Sequence, residues 1–195
     1  MTTRPTPTRI IAIGGTVNPG SSTEQALRLA AAAAGADGAK VQVFGGSYLA
    51  TLPHYGSEAH RKGDGSELVE AVRQADGLLI AAPGYHGTIS GLVKNALDFL
   101  EDLSKDERPY LDGRAVGLIA TAFGDQATMS TLITMRAIVH ALRGWPTPMG
   151  ATIRTYHGLF SPDGECLDER TQAQLILVGQ QVLRGAEAFS ASRRP

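Results

Sequence analysis

The chain has 195 residues, 43% hydrophobic and 19% charged, with a net charge of −1. That composition describes a globular protein of one domain, residues 1–195, and the lack of any Lys/Arg block argues against a nucleic-acid surface. The one cysteine, Cys166, excludes an internal disulfide and a cysteine-based metal framework and fits a reducing, cytoplasmic setting, and no run approaches the ~20 apolar residues of a membrane span.

Met1–Thr8 has no apolar signal-peptide core and reads, with Ser190–Pro195, as a frayed end. Arg9–Gly14 is a short run rich in β-branched residues, the pattern of a strand buried on both faces. Gly15–Thr23 is a loop of small and hydroxyl residues. It opens a helix predicted over Ser22–Gly35, with Ser21 or Ser22 as N-cap. Val41–Phe44 reads as a second strand. Gly45–Gly65 is irregular, and a stretch that long is usually functional or mobile. Ser66–Ala75 is an amphipathic helix capped by Ser66, and Gly77–Ala82 is a third buried strand ended by Pro83. The turn Gly84–Thr88 leads into a helix over Gly91–Leu103, and Ser104–Arg108 is a charged, exposed span. Ala115–Ala120 is the fourth strand, followed by the loop Thr121–Gln126 and a helix over Thr128–Leu142. Gly144–Pro148 reads as a breaker, with Trp145 in the core; Met149–Ile153 is the fifth strand and Asp168–Phe189 the last helix.

Strand and helix alternate five times. That alternation specifies an α/β fold with a parallel sheet, and right-handed crossovers suit the strand order 2-1-3-4-5. Ligands of such sheets bind beyond the carboxyl ends of the strands, beside strand 1. The loops Gly15–Thr23, Pro83–Thr88 and Thr121–Gln126 converge there.

The first loop is a near miss to the nucleotide P-loop. Gly15 and Gly20 have the right spacing, but Ser21 stands where the lysine belongs. That lysine neutralises the β/γ-phosphates, so a nucleoside triphosphate is excluded. The third strand likewise ends without the aspartate that holds magnesium. Thr16, Asn18, Ser21, Ser22 and Thr23, with helix N–H groups, suit a single terminal phosphate held without metal. The alternative is an ordinary strand–helix turn with a serine cap. In the second loop, Gly84 and Gly87 permit close backbone approach to a flat ligand, with Tyr85 along its face. The alternative there is a β-turn whose Tyr85 is only partly buried. His54, His60, His86, His140 and His157 lack ligand spacing, so no metal site is expected. Cys166 has no evident base and reads as inert.

The run Pro83-Gly84-Tyr85-His86-Gly87-Thr88-Ile89-Ser90-Gly91-Leu92-Val93-Lys94-Asn95-Ala96-Leu97-Asp98 resembles the flavin-ring loop of the NAD(P)H-dependent FMN reductases, a flavodoxin-like family. Gly15–Thr23 is similar to the family's phosphate loop, and Leu52-Pro53-His54-Tyr55 to its segment after strand 2. The likeness runs from Arg9 to Ile153. It implies a flavodoxin-like three-layer sandwich around a five-stranded parallel sheet. It implies FMN, with Thr16, Asn18, Ser21, Ser22 and Thr23 on the phosphate. Pro83, Gly84, Tyr85, His86, Gly87 and Thr88 would line the ribityl chain and ring, and Thr121 and Gly124 the ring's other side and the nicotinamide site. Two positions depart from the family: Asn18 replaces a common arginine, and Gly84 a glutamate frequent in azoreductase-like relatives.

The activity implied is hydride transfer from NADPH or NADH to flavin, with no side chain named as general acid or base. Reduced flavin would then serve a partner monooxygenase. The alternatives are a quinone, azo or chromate reductase with bound FMN, or a non-enzymatic electron carrier. Such carriers are strongly acidic, and this chain is not. The helix from Leu92 to Leu103 carries an apolar stripe wider than one sheet-facing side needs. That surplus, with the family's habit, implies a homodimer or homotetramer.

Overall fold

The computed structural model describes residues 7–192. Strands β1 (Arg9–Gly14), β2 (Lys40–Phe44), β3 (Gly77–Tyr85), β5 (Ala115–Ala122) and β6 (Trp145–Arg154) form a parallel sheet in the order β2-β1-β3-β5-β6. The two-residue β4 (Thr88–Ile89) folds back antiparallel on the end of β3. Counted over the parallel strands alone, this is the expected order.

The strands are apolar throughout because both faces are covered, and side chains alternate between them. Ile11, Ile13, Leu78 and Ile80 face one core, under α4 (Ser66–Arg73), α5 (Gly91–Asp98) and α6 (Asp125–Ala141). Ile10, Ala12, Leu79 and Ala81 face the other, under α1 (Ser22–Ala36) and α7 (Glu169–Ser192). The alanine run of α1 allows close approach: a Cβ on Gly179 of α7 would fall 2.2 Å from the Ala30 carbonyl oxygen.

Several expectations are corrected. The stretch 45–65 holds two short helices, α2 (Gly46–Leu49) and α3 (Glu58–Arg61). Ser66 does not cap α4; Gly65 does, at φ +92°, because the Phe99 ring lies 2.3 Å from where a Cβ would be. Pro146 and Pro148 do not break the chain but sit within β6. As an edge strand, β6 pairs on one side only and tolerates missing N–H donors, with a register shift opposite Val116 and Leu118. Trp145 is no core residue. It opens that edge strand, is 59% exposed, and leans on Phe189 with ring centroids 5.5 Å apart.

The apolar stripe after Gly91 is used inside its own fold. The helix tightens into a 3-10 turn over Phe99–Leu103, which turns Phe99, Leu100 and Leu103 into the core beside Val93, Ala96 and Leu97. Of the ends expected to fray, residues 1–6 and 193–195 lie outside the described range. Ser190 is still helical, and its hydroxyl donates to Asp76 Oδ1 at 3.2 Å. Among the described residues no helix is long and apolar enough to cross a membrane.

Candidate flavin site

The carboxyl ends of β1, β3, β5 and β6 open into one cleft of about 490 Å³. Its floor at the β1 end is backbone against backbone. A Cβ on Gly14 would fall 2.1 Å from the Ala81 carbonyl oxygen, and one on Gly46 would fall 1.8 Å from that of Thr16. Two glycines therefore let the loop after β1 settle between β3 and the start of α2.

Above that floor, Ser21 is the N-cap of α1: its hydroxyl accepts from the Glu24 N–H at 3.3 Å. The Ser22 and Thr23 N–H groups come before any helical acceptor, and the helix dipole adds positive character at the same point. Thr16 Oγ1 accepts from the Asn18 N–H at 3.2 Å, and Asn18 O from the Ser21 N–H at 3.2 Å, so the loop is braced from within. Glu24 lies behind the loop, beside Gly15 and Gly45, and its charge is met by Arg28 at 2.7 Å. Among the described residues no Lys or Arg lines the cleft.

Thr16, Asn18, Ser21, Ser22 and Thr23 all reach this cleft, with Pro83, Gly84, Tyr85 and Thr121. Two of these hydroxyls have a structural duty. Thr23 Oγ1 and Thr121 Oγ1 are 2.7 Å apart and buried, tying α1 to β5. His86, Gly87 and Thr88 are exposed at the hairpin tip, outside the lining, and Gly124 also lies outside it as the N-cap of α6. The hairpin turn needs positive φ at both central residues, and His86 (50°) and Gly87 (90°) supply it. Tyr85 is 51% exposed at the mouth.

Gly84 has a packing reason of its own. A Cβ there would fall 2.3 Å from Thr131 Oγ1 and 3.2 Å from the Ala127 carbonyl oxygen. Helix α6 closes onto β3 at this point, so a side chain at position 84 would have to displace Thr131. The Thr131 hydroxyl, fully buried beside Gly84, has no hydrogen-bond partner. Asn95, within the most family-like motif, does not reach the cleft. Its amide donates to Pro53 O and accepts from the Tyr55 N–H, both at 2.9 Å, clamping the segment after β2 onto α5.

Ala122, Phe123, Thr155, Tyr156 and His157 complete the lining. The last three were not expected there. Their signal is position rather than motif: they follow β6, and the Thr155 N–H donates to Ala122 O at 2.8 Å, holding this loop beside the one after β5. Cys166 lies elsewhere, and burial pushes its thiol above its ordinary pKa.

A helix N-terminus rich in hydroxyls at one end of the cleft and aromatic side chains at the other fit an elongated ligand with a phosphate tail and a flat ring. FMN has that shape and chemistry. Fold and cleft define a doubly wound α/β protein whose main cleft lies at its topological switch point.

The chain belongs to the NADPH-dependent FMN reductase family, whose model matches residues 8–157. It is 37% identical over 82 residues to the FMN-dependent NADPH-azoreductase of Staphylococcus aureus, a match spanning 42% of this chain and 40% of that enzyme. In fold it is similar to FerB, a flavoenzyme NAD(P)H:(acceptor) oxidoreductase from Paracoccus denitrificans. That likeness has a TM-score of 0.75 at 18% identity and covers 93% of this chain and 98% of the other. It is also similar to an NADH:FMN oxidoreductase in apo form, with a TM-score of 0.67 at 21% identity, covering 96% of this chain and 92% of the other.

Proposed function

We propose that this chain is an NAD(P)H-dependent FMN reductase, one domain working in the cytoplasm. The observation that carries the reading is the polarity of the cleft: neutral hydroxyl and N–H donors at the end of β1, aromatic side chains at the ends of β3, β5 and β6. FMN, when bound, would accept a hydride from NADPH or NADH and pass the electrons on. The chain's part is to hold and to shield. The Ser22 and Thr23 N–H groups and the Thr16, Ser21 and Ser22 hydroxyls bind the phosphate, with Asn18 bracing the loop. Pro83, Gly84 and Tyr85 border the ribityl chain and ring. Thr121 is a positioning residue, since its hydroxyl fixes α1 through Thr23. His86 and Gly87 shape the turn that carries Tyr85 and Thr88, and Gly124 starts α6 beside the cleft, without contributing to its walls.

The acceptor is either a partner monooxygenase, which takes the reduced flavin, or a quinone, azo dye or chromate reduced in place. Exposed Tyr85, Phe123 and Tyr156 at the mouth favour an aromatic acceptor. A homodimer or homotetramer has a new basis: Met129 and Ile133, one turn apart on α6, are 52% and 61% exposed. The test is an anaerobic titration of the protein with FMN and then NADPH. The proposal expects FMN to bind and its visible absorbance to bleach on addition of NADPH. Bound FMN that keeps its colour would make the protein an electron carrier, and failure to bind FMN would reject the site.

A further inference from the structure

Ser21 and Glu24 have the S-x-x-E spacing of a capping box, in which the glutamate side chain folds back onto the N–H of the capping serine. Only half of that box is built. The Ser21 hydroxyl accepts from the Glu24 N–H at 3.3 Å, but the Ser21 N–H is given to Asn18 O at 3.2 Å. The Glu24 carboxylate turns the other way, behind the loop after β1. Its Oε1 lies 3.0 Å from where a Cβ on Gly45 would be, and its Oε2 3.4 Å from where one on Gly15 would be. An anion is therefore seated at the back of the loop assigned to an anion.

Its counter-ion cancels it only in part. Arg28 Nε and Nη2 both donate to Glu24 Oε1, at 3.0 and 2.7 Å, whereas Oε2 is the oxygen beside Gly15. Arg28 is rooted about one helical turn, roughly 5.4 Å, further from the start of α1. The two partners are also unequally wetted: the Glu24 side chain is 12% exposed and that of Arg28 58%. Water screens the arginine more than the carboxylate. With no Lys or Arg lining the cleft among the described residues, a phosphate there would rely on neutral donors and the α1 dipole. Glu24, in the first turn of α1, competes for that same positive helix end.

We propose that Glu24 sets the strength of the phosphate hold: it opposes the phosphate from behind the loop and shortens the stay of FMN, while Arg28 offsets part of that opposition from the solvent side. The inference rests on the flavin-reductase reading above and gives a role in flavin affinity to a pair that lies outside the cleft lining.

The test is a set of fluorescence titrations with FMN and with riboflavin on the whole chain and its variants. The quantity read is the Kd for riboflavin divided by the Kd for FMN, which isolates the phosphate because the two ligands are otherwise identical. The FMN dissociation rate, from stopped-flow dilution, is the second readout. Glu24→Gln keeps the shape of the side chain and an oxygen for Arg28 while removing the charge. The ratio rises about fivefold, FMN leaves more slowly, and riboflavin binding is unmoved. Arg28→Met leaves the carboxylate without its counter-ion, and the ratio falls about threefold, a smaller effect because the arginine stands in water. A Glu24→Gln ratio within about twofold of the parent would overturn the proposal. So would a lower one, which would make the carboxylate a brace for the loop. Should Glu24→Gln lower the Tm, Arg28→Met decides: a falling ratio supports the proposal, and an unchanged or rising one overturns it. A parent that binds both flavins equally would instead refute the phosphate assignment on which the inference rests.

Discussion

At the β1 end of the cleft the backbone itself is close-packed. Gly14 lies against Ala81 and Gly46 against Thr16, and the buried Thr23–Thr121 pair ties the loop's helix to β5. At the β5–β6 end the side chains stand free: Phe123 is 85% and Tyr156 52% exposed. One end is a by-product of strands and helices meeting, so its chemistry of N–H groups and hydroxyls comes with the fold. The other is carried by surface loops whose side chains the fold does not use. A residue at the first end answers to stability and binding together, and a residue at the second answers to binding alone.

The contrast breaks first at Gly46. Gly46→Ala would drive a methyl group into the Thr16 carbonyl, 1.8 Å away, where no side chain can give way. The expected loss is about 3 kcal/mol or more, read as a fall in Tm of about 6–12 °C, and FMN binding should go with it. A normal Tm would mean that this end is not packed as described. Next is Thr23→Val, which leaves the buried Thr121 hydroxyl without its partner. About 1–3 kcal/mol should be lost in urea unfolding, and adding Thr121→Val should recover most of it, because an apolar pair leaves nothing unsatisfied. Phe123→Ala sits at the other extreme. Stability should stay within about 0.5 kcal/mol, while flavin affinity by fluorescence falls about fivefold. A destabilised Phe123→Ala would erase the distinction between the two ends.

The same division explains what could be read from the chain. The strands Ile10–Ile13, Gly77–Ala82 and Ala115–Ala120 are visible because burial on both faces leaves unbroken apolar runs, and their alternation with helices yields the sheet order. The residues at the β1 end were legible too, since a helix N-terminus announces itself through Ser21. Edge and surface features were not. Pro146 and Pro148 signal a break unless the strand is known to be an edge, and Trp145 looks like core unless its corner position is known. The apolar stripe that ends at Leu100 and Leu103 is wider than the sheet-facing side of a regular α-helical period, and the 3-10 turn is what brings these residues into the core. Tyr156 and His157 carry no motif at all. They enter the cleft because β6 pairs with β5, a relation between residues far apart in sequence.

The central claim is that the loop after β1 holds the phosphate of a flavin whose ring lies toward the aromatic end. Parallel fluorescence titrations with FMN and riboflavin test it most directly, because the two ligands differ only by that phosphate. The account predicts FMN binding at least about tenfold tighter, as charge-assisted hydrogen bonds from the loop would give, with the advantage reduced in Ser22→Pro, which removes one N–H and one hydroxyl. Equal affinity for the two ligands would contradict it.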